Sequence, residues 1–555
     1  MSSESEKEPD GRHRVVVIGG GMAGARLAQQ LAVASEAAGA GAAAAPAVTV
    51  IGEEPHAPYN RVLLAEVLAG RYAPEVVALP TPAAHHLRGV RAVRIDRGPR
   101  TVHCDDGRLV PYDTLVLATG SNPVLPPLRG LFETGGTSWG HRPAAVLGDR
   151  FGGGRELPDG VHAFRTMDDC LTLAASVRPG VRAVVIGGGL LGVSAARALA
   201  QRGAQVVLAH QGEHLMERQV DAHAAGLLRT HLEAMGVEVH TECRVRGLRT
   251  DLVACADPAG AQPAPMATGT SGTRPADTAT DTGDARPADA ADAPRPARGA
   301  DRGHRAPRAG RAPAPRAVRA VVLADGFALD TDIVVFACGV RPRVGLAHAA
   351  GLDVARGVLV DDELRTSDPY IHAIGDCAEH DGVVYGLAGP AQEQADVLAR
   401  AIAARLRDPG PHQAGNQVGN QRGDAAAHRY RGTRALTRLT LSAPPAAAPP
   451  AADALADAPA DALSATATAA DAAAGGPLDL ATFGEATPAP GDDVVQLSDA
   501  TRGAYRKVVV RQDRLVGGIL LGDLGTVGAL ARAWEGDAPL PAAPLLHLLT
   551  NDGGS

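Results

Sequence analysis

Two stretches of the chain repeat one pattern, in which a short apolar strand is followed by a glycine-rich turn and an apolar helix. In the first stretch the predicted strand is Val15–Ile18, and the helix continues through Leu31. In the second stretch the strand is Ala183–Ile186, and the helix ends at Arg202. Short apolar runs that alternate with helices are typical of buried parallel strands. The pattern therefore predicts an α/β fold built from a duplicated unit.

Each unit continues into a second apolar strand, which is Val48–Ile51 in the first and Val206–Ala209 in the second. Nearer the C-terminus, Tyr505–Arg511 and Arg514–Leu521 are separated by Gln512-Asp513. Two apolar runs around a two-residue polar turn predict a β-hairpin.

Two long segments break these patterns. Residues 257–315 and 443–476 consist mainly of Ala, Pro, Asp, Thr and Arg, without apolar periodicity. Such segments bury too little apolar surface to offset the entropy of ordering the chain. We expect both to be disordered inserts. The second half of 257–315 is rich in Arg, so a nucleic-acid-binding arm is the alternative to a solvated insert.

Composition and charge narrow the function. The 555-residue chain is 45% hydrophobic and 21% charged, and its 54 basic and 62 acidic groups give a net charge of -8. This balance argues against a chain built to hold nucleic acid or an anionic membrane. The N-terminus is polar and acidic, and no run approaches the roughly 18 apolar residues of a membrane span. We expect a cytoplasmic protein.

The cysteines carry no recognisable metal or disulfide pattern. There are six, without a C-x-x-C pair, a C-x-x-x-x-C pair or a four-cysteine ladder, at positions 104, 170, 243, 255, 338 and 377. The sequence therefore predicts no zinc site, iron–sulfur cluster or disulfide framework in this chain.

The candidate chemistry begins in the two glycine loops, each of the form G-x-G-x-x-G directly after a strand. In such a loop the first glycine permits a tight turn, the second lets the backbone approach a pyrophosphate, and the third lets the helix pack on the strand. The helix N-terminus offers free N–H groups to the phosphate. One such loop is also a common structural turn, but two in the same context predict two dinucleotide sites. They are Gly19, Gly21 and Gly24, with Met22 and Ala23, and Gly187, Gly189 and Gly192, with Leu190 and Leu191.

An acid after the second strand normally binds the adenosine ribose hydroxyls. Glu53, followed by Glu54, takes that place in the first unit, where the alternative is a solvated loop carboxylate. His210 takes it in the second unit, either as a cofactor contact or as an ordinary loop histidine. That position holds neither a carboxylate, which would repel a 2′-phosphate, nor an Arg, which would bind one. Both NADH and NADPH therefore remain possible donors, and NADH is slightly favoured.

Further motifs make the chain resemble the FAD- and NAD(P)-dependent pyridine nucleotide-disulfide oxidoreductases, the glutathione-reductase-like flavoproteins. The motifs are Ala118-Thr119-Gly120, Phe336-Ala337-Cys338-Gly339 and Ile374-Gly375-Asp376-Cys377-Ala378. The resemblance implies two Rossmann-like three-layer dinucleotide-binding domains and a C-terminal α+β domain. It also implies bound FAD, NAD(P)H as donor, and a hydrogen bond from Asp376 to the flavin ribityl chain. The alternative role for Asp376 is a helix N-cap.

Within that superfamily, Glu53 to Leu64 carries no cysteine where disulfide reductases have their redox pair. Its pattern E-E-P-x-x-x-Y-N-R-x-L-L instead resembles the flavin portion of assimilatory nitrite reductase large subunits and the electron-transfer subunits of nitrate reductases. By this resemblance Arg61 lies near the flavin pyrophosphate. Cys338 and Cys377 are expected to be packed residues and not redox thiols.

The resemblance divides the chain into an FAD domain at 13–125 and 341–410, an NAD(P) domain at 161–340, and an interface-like domain at 425–545. It implies electron transfer from NAD(P)H through FAD to a partner nitrate or nitrite reductase or an iron–sulfur protein. The alternatives are reduction of a ferredoxin or rubredoxin in another pathway, and a flavin-bound signalling protein. No catalytic side chain is required, because the cofactors carry the chemistry. The remaining candidate cofactor contacts are Val93, Gly120, Gly339 and Gly375.

Overall fold

The computed structural model describes residues 12–37, 45–80, 84–132, 157–252, 316–407, 429–434, 436–441, 478–499, 503–536, 539–540 and 549. The expected inserts at 257–315 and 443–476 lie outside these ranges. Within them, no helix has the length and apolar character needed to cross a membrane.

The first glycine loop belongs to a five-stranded parallel sheet. Its strands are, in order, β19 (Ile371–Ala373), β7 (Thr114–Leu117), β1 (Arg14–Ile18), β2 (Ala47–Gly52) and β3 (His85–Arg88). Helices α1 (Met22–Ala37) and α7 (Ala388–Arg407) pack against one face, where Val15, Val17, Leu27 and Leu398 are buried. The strands β4, β5 and β6 form a small sheet that covers the other face. The elements of the N-terminal segment are β1 (Arg14–Ile18), α1 (Met22–Ala37), β2 (Ala47–Gly52), α2 (Leu64–Leu68), β3 (His85–Arg88), β4 (Ala92–Asp96), β5 (Thr101–Cys104), β6 (Leu109–Pro111), β7 (Thr114–Leu117) and β8 (Ser121–Pro123).

The second glycine loop belongs to another five-stranded parallel sheet, of order β12-β11-β10-β16-β9. Helices pack on one face and the small sheet β13-β14-β15 on the other. The two units are therefore built alike, as the duplicated pattern predicts. The elements are β9 (Val161–Ala163), α3 (Met167–Ser176), β10 (Arg182–Ile186), α4 (Leu190–Gln201), β11 (Gln205–Ala209), α5 (Ala222–Ala234), β12 (Val237–His240), β13 (Val245–Leu252), β14 (Arg316–Leu323), β15 (Ala328–Asp330) and β16 (Ile333–Phe336).

The chain then returns to the first sheet, because β19 pairs with β7 in parallel. The expected segment 341–410 thus supplies an edge strand and helix α7 to the unit that carries the first glycine loop. Its elements are β17 (Val340–Pro342), α6 (Gly345–Ala349), β18 (Val358–Val360), β19 (Ile371–Ala373), β20 (Ala378–His380) and α7 (Ala388–Arg407).

The described part of the C-terminal region forms an antiparallel sheet of order β21-β22-β25-β24-β23, against which a helix packs. The predicted hairpin is confirmed, and Gln512 and Asp513 form its turn with φ of 50° and 57°. Two left-handed residues in a two-residue turn match the twist of the flanking strands. The elements are β21 (Leu436–Leu441), β22 (Leu478–Gly484), β23 (Asp493–Asp499), β24 (Ala504–Arg511), β25 (Arg514–Gly522) and α8 (Val527–Gly536).

The predicted fold class is confirmed, and the predicted strands agree with the observed ones to within a residue or two. The first helix is longer than expected, since it continues past Leu31 to Ala37. Its last turns contain Ala, Ser and Glu and no Gly or Pro, so no helix breaker interrupts it.

Candidate functional site

A cleft of about 1620 Å³ connects the two glycine loops and follows the carboxyl ends of both parallel sheets. Ligands of open α/β sheets bind at this edge. Eighteen of the residues expected to contact cofactors line it. They are Gly19, Gly21, Met22, Ala23, Glu53, Glu54, Arg61, Ala118, Thr119, Gly120, Gly187, Gly189, Leu190, Leu191, His210, Gly339, Gly375 and Asp376.

Three expected contacts lie elsewhere. Gly24 and Gly192 are inside their helices, behind the loops. Val93 is on β4 with 48% of its surface exposed, and its neighbours Val90 and Ala92 line the cleft instead.

The glycines of each loop take distinct roles. A Cβ at Gly19 or Gly187, whose φ values are 125° and 113°, would collide with the carbonyl of Ala118 or Ala337. A Cβ at the third glycine, Gly24 or Gly192, would collide with the carbonyl of the first.

The second glycine of each loop, unlike the first and the third, has free space where a side chain would be. Around Gly21 and Gly189, no atom of the described residues comes within 4 Å of an added Cβ, so the open side of each loop faces the cleft. Helices α1 and α4 begin directly after these glycines and direct their N-termini at the same space. This arrangement fits a pyrophosphate at each loop.

The two consecutive glutamates after β2 have different partners. Glu53 forms an ion pair with Arg343 at 2.6 Å, on the exposed rim of the cleft. Glu54 accepts hydrogen bonds from Tyr59 Oη at 2.7 Å and from Arg61 Nη2 at 2.6 Å. Arg61 also donates to the carbonyl of Arg165 at 2.9 Å. The motif around Tyr59 thus forms one hydrogen-bonded cluster on the cleft wall.

Asp376 lines the cleft and belongs to a single turn of 3₁₀ helix at Gly375–Cys377. Its carboxylate accepts from Ser121 Oγ at 2.8 Å and pairs with Arg165. The N-cap of that turn is Ile374, so Asp376 is not the cap. The next α-helix, α7, begins only at Ala388.

Arg165 is a site residue that the sequence reasoning missed. It follows β9 at the carboxyl end of the second sheet and reaches across the cleft to Asp376. Its Nε is buried and has no hydrogen-bond partner among the described residues. A buried, unsatisfied donor in a cleft fits a bound polar group. The rule that ligands bind at strand carboxyl ends could have drawn attention to it.

His210 lines the cleft after β11 and is held by the glycine loop. Its Nδ1 accepts a hydrogen bond from the backbone N–H of Gly188 at 3.1 Å. Burial lowers its pKa, an effect that Glu217 partly opposes, so the imidazole is neutral at physiological pH.

Comparison with known proteins agrees with this geometry. Residues 13–278 and 307–395 match the family described as pyridine nucleotide-disulphide oxidoreductase, and residues 477–535 match the rubredoxin NAD+ reductase C-terminal domain. The chain belongs to the pyridine nucleotide-disulphide oxidoreductase family. It is therefore an NAD(P)H-dependent oxidoreductase, and the predicted FAD and NAD(P)H cofactors are confirmed.

Individual relatives carry more specific names. The chain is 27% identical to a nitrite reductase [NAD(P)H] of Bacillus subtilis, over 92% of this chain and 46% of that protein. It is 30% identical to the assimilatory nitrate reductase electron transfer subunit of the same species, over 70% of this chain and 39% of that protein. The chain thus spans less than half the length of these relatives. The resemblance predicted from the sequence is confirmed.

Solved structures share the fold. The putidaredoxin reductase–putidaredoxin complex superposes with a TM-score of 0.62 at 18% identity, covering 98% of this chain and 99% of that one.

In this pyridine nucleotide-disulphide oxidoreductase, the described cysteines are poor candidates for redox thiols. Burial raises the pKa of Cys338, which lines the cleft, to about 11, and that of Cys170 to about 11. The thiolate is the reactive form, so these thiols are inert near neutral pH. Burial also raises the thiol pKa of the other described cysteines, Cys104, Cys243 and Cys377.

Proposed function

We propose that this chain passes electrons from NAD(P)H through FAD to a partner redox protein in assimilatory nitrate or nitrite reduction. The observation that carries the proposal is the match to the Bacillus subtilis nitrite reductase across 92% of the chain. That match includes the C-terminal region as well as the two dinucleotide units.

The cluster around Glu54 supports the same assignment. Disulfide reductases have their thiol pair in the segment that here contains Tyr59 and Arg61. Tyr59 is buried, and its oxygen also accepts the backbone N–H of Met167 at 2.9 Å, at the start of α3. A hydrogen-bonded polar cluster therefore takes the place of a thiol relay. We infer that electrons leave the flavin directly for the acceptor.

Each half of the cleft has a defined binding role in this proposal. The open faces of Gly21 and Gly189 would admit the pyrophosphates of FAD and NAD(P)H, with the helix N-termini as anion partners. Asp376 and Ser121 would orient the flavin side chain, and Arg165 would place a cation beside it. When bound, FAD supplies hydride acceptance from the nicotinamide and electron release to an acceptor.

A second candidate function is reduction of a ferredoxin or rubredoxin in another pathway. The match of residues 477–535 to the rubredoxin NAD+ reductase C-terminal domain favours it. Both functions use the same first half-reaction, so only the acceptor separates them.

The test compares acceptors side by side. Flavin-loaded chain is given NADH or NADPH together with either the nitrate or nitrite reductase subunit of its own organism or that organism's ferredoxin and rubredoxin. We expect the reductase subunit to be the faster acceptor. Faster reduction of ferredoxin or rubredoxin would favour the second candidate. In cells, a deletion strain without a paralogue that grows at the normal rate on nitrate as sole nitrogen source would contradict the proposal.

A further inference from the structure

The strand end that normally carries the ribose-binding acid has no carboxylate in the second unit. β11 ends at Ala209 and is followed by His210, Gln211 and Gly212. His210 is a poor substitute for an acid. Because its Nδ1 already accepts from Gly188, the neutral ring carries its proton on Nε2, which is buried, so the imidazole offers a ribose hydroxyl no acceptor. The adenosine ribose hydroxyls, which would normally donate to the acid at this strand end, therefore need an acceptor from another part of the chain.

Glu217 brings a carboxylate to this strand end. A Cβ added at Gly212 would collide with both oxygens of the Glu217 carboxylate, which therefore lies directly over the Gly212 backbone. One oxygen, Oε1, accepts the backbone N–H of Glu213 at 2.7 Å. Glu217 lines the cleft. Its carboxylate fills the space that a side chain at position 212 would otherwise use.

The loop that carries Glu217 is tied to the second glycine loop. The backbone N–H of Met216 donates to the carbonyl of Gly188 at 2.9 Å, and the side chains of Leu215 and Met216 are buried. The backbone N–H of Glu242 donates to the carbonyl of Gly212 at 2.8 Å. The backbone of the loop that carries the exposed Glu217 is thus attached to the loop that would bind the pyrophosphate.

We propose that Glu217 accepts the adenosine ribose hydroxyls of NADH and makes this site selective for NADH over NADPH. A carboxylate pairs with the ribose hydroxyls but repels a 2′-phosphate. The inference rests on the proposed role of the second glycine loop as the nicotinamide-dinucleotide loop.

Two Arg side chains would instead favour NADPH over NADH. Arg218 and Arg244 are exposed and line the same cleft. Arg is the side chain that usually accommodates a 2′-phosphate. If either bound one, NADPH would be the preferred donor, so the two assignments predict opposite selectivities.

The test is calorimetric titration of the flavin-loaded protein with ADP-ribose and with 2′-phospho-ADP-ribose, which differ only in the phosphate. The variants are Glu217→Gln, which removes the charge, and Gly212→Ala, which displaces the carboxylate but keeps its charge. Glu213→Gln is the matched control, because this exposed carboxylate of the same loop is outside the cleft lining of the described chain. Flavin content reports that each variant is folded.

We expect the wild-type protein to bind ADP-ribose at least about tenfold more tightly than its phosphorylated analogue. Glu217→Gln and Gly212→Ala should each weaken ADP-ribose binding by about 10- to 100-fold, as for loss of hydrogen bonds to a charged group. Glu213→Gln should bind like the wild type. The same order should appear in the rates at which NADH and NADPH bleach the flavin under anaerobic conditions.

Two outcomes would overturn the inference alone. One is preference of the wild-type protein for 2′-phospho-ADP-ribose, and the other is a Glu217→Gln variant whose selectivity equals that of Glu213→Gln. Failure of both ligands to bind a flavin-loaded wild-type protein would instead remove the nicotinamide assignment of the second loop, and the inference with it.

Discussion

Gly21 has room for a side chain in the protein alone, whereas Gly24 has none. A Cβ at Gly21 meets no described atom within 4 Å, but one at Gly24 collides with the carbonyl of Gly19. We therefore predict that Gly21→Leu folds but binds no flavin, because its side chain fills the pyrophosphate space. Gly24→Leu should fail to fold. The measurement is the ratio of flavin to protein absorbance together with a thermal melt. Full flavin occupancy in Gly21→Leu would contradict the assignment of the loop.

Cys338 tests whether a thiol takes part in electron transfer. Its Sγ lies 3.4 Å from the carbonyl oxygen of Ile186, and burial raises its pKa to about 11. Below that pKa the thiol is protonated, so at pH 8 only about one molecule in a thousand carries the thiolate.

We predict that Cys338→Ala oxidises NADH with ferricyanide within about twofold of the wild-type rate, since packing is its main role. Alkylation of Cys338 by iodoacetamide should accelerate only as the pH approaches 11. Rapid alkylation at pH 7 with loss of turnover would show that the thiol is reactive and functional.

Residues near one another in sequence were easier to predict than residues that meet only in the fold. The glycine loops could be predicted because each is a continuous segment of sequence. Each contains the glycine of the tight turn, the glycine that a pyrophosphate can approach and the glycine that lets the helix pack on the strand. Arg165 could not be placed beside Asp376 from sequence, since 211 positions separate them. Glu217 was missed for a related reason, because it reaches the end of β11 from a later loop and not from the position where the motif is normally sought.

At the scale of elements, a buried ion pair joins α2 of the first unit to α4 of the second. Arg197 is fully buried and pairs with Glu66, which also lies 3.3 Å from Arg71. Removing one partner of a buried pair leaves an uncompensated charge, whereas replacing both is often neutral.

We predict that Glu66→Gln lowers the free energy of unfolding by about 3–5 kcal/mol, and that adding Arg197→Met restores much of it. Urea titration monitored by circular dichroism measures this difference. The control is Glu233→Gln, which breaks the exposed pair with Arg229 on α5 and should change stability by less than about 1 kcal/mol. Equal effects of Glu66→Gln and Glu233→Gln would show that burial does not strengthen the first pair.

Element boundaries followed from local signals wherever a strand ended in glycine or a turn residue. The parallel strands were predictable because they are continuous apolar runs, and the C-terminal hairpin because of its two-residue turn. The antiparallel strands β4, β5 and β6 were harder to predict, since each is at most 5 residues long.

At the scale of the whole molecule, the segment between β13 and β14 tests how much of the chain the oxidoreductase needs. These strands are neighbours in one sheet, so a short turn can join them. Because loop-closure entropy changes slowly with length, replacing residues 258–315 by a short Gly-Ser linker should leave flavin content unchanged and NADH oxidation within about twofold. Loss of flavin on deletion would show that the segment contributes to the fold.

The proposed role requires that this chain accept electrons from a nicotinamide and deliver them to a separate acceptor. The most direct measurement follows NADH oxidation by the flavin-loaded chain with ferricyanide, with nitrite, and with nitrite or nitrate plus the partner reductase subunit. We predict that ferricyanide is reduced rapidly, that nitrite is untouched by the chain alone, and that nitrite or nitrate is consumed once the partner is added. Failure to oxidise NADH with ferricyanide, or ammonia formed from nitrite by the isolated chain, would contradict the proposed role.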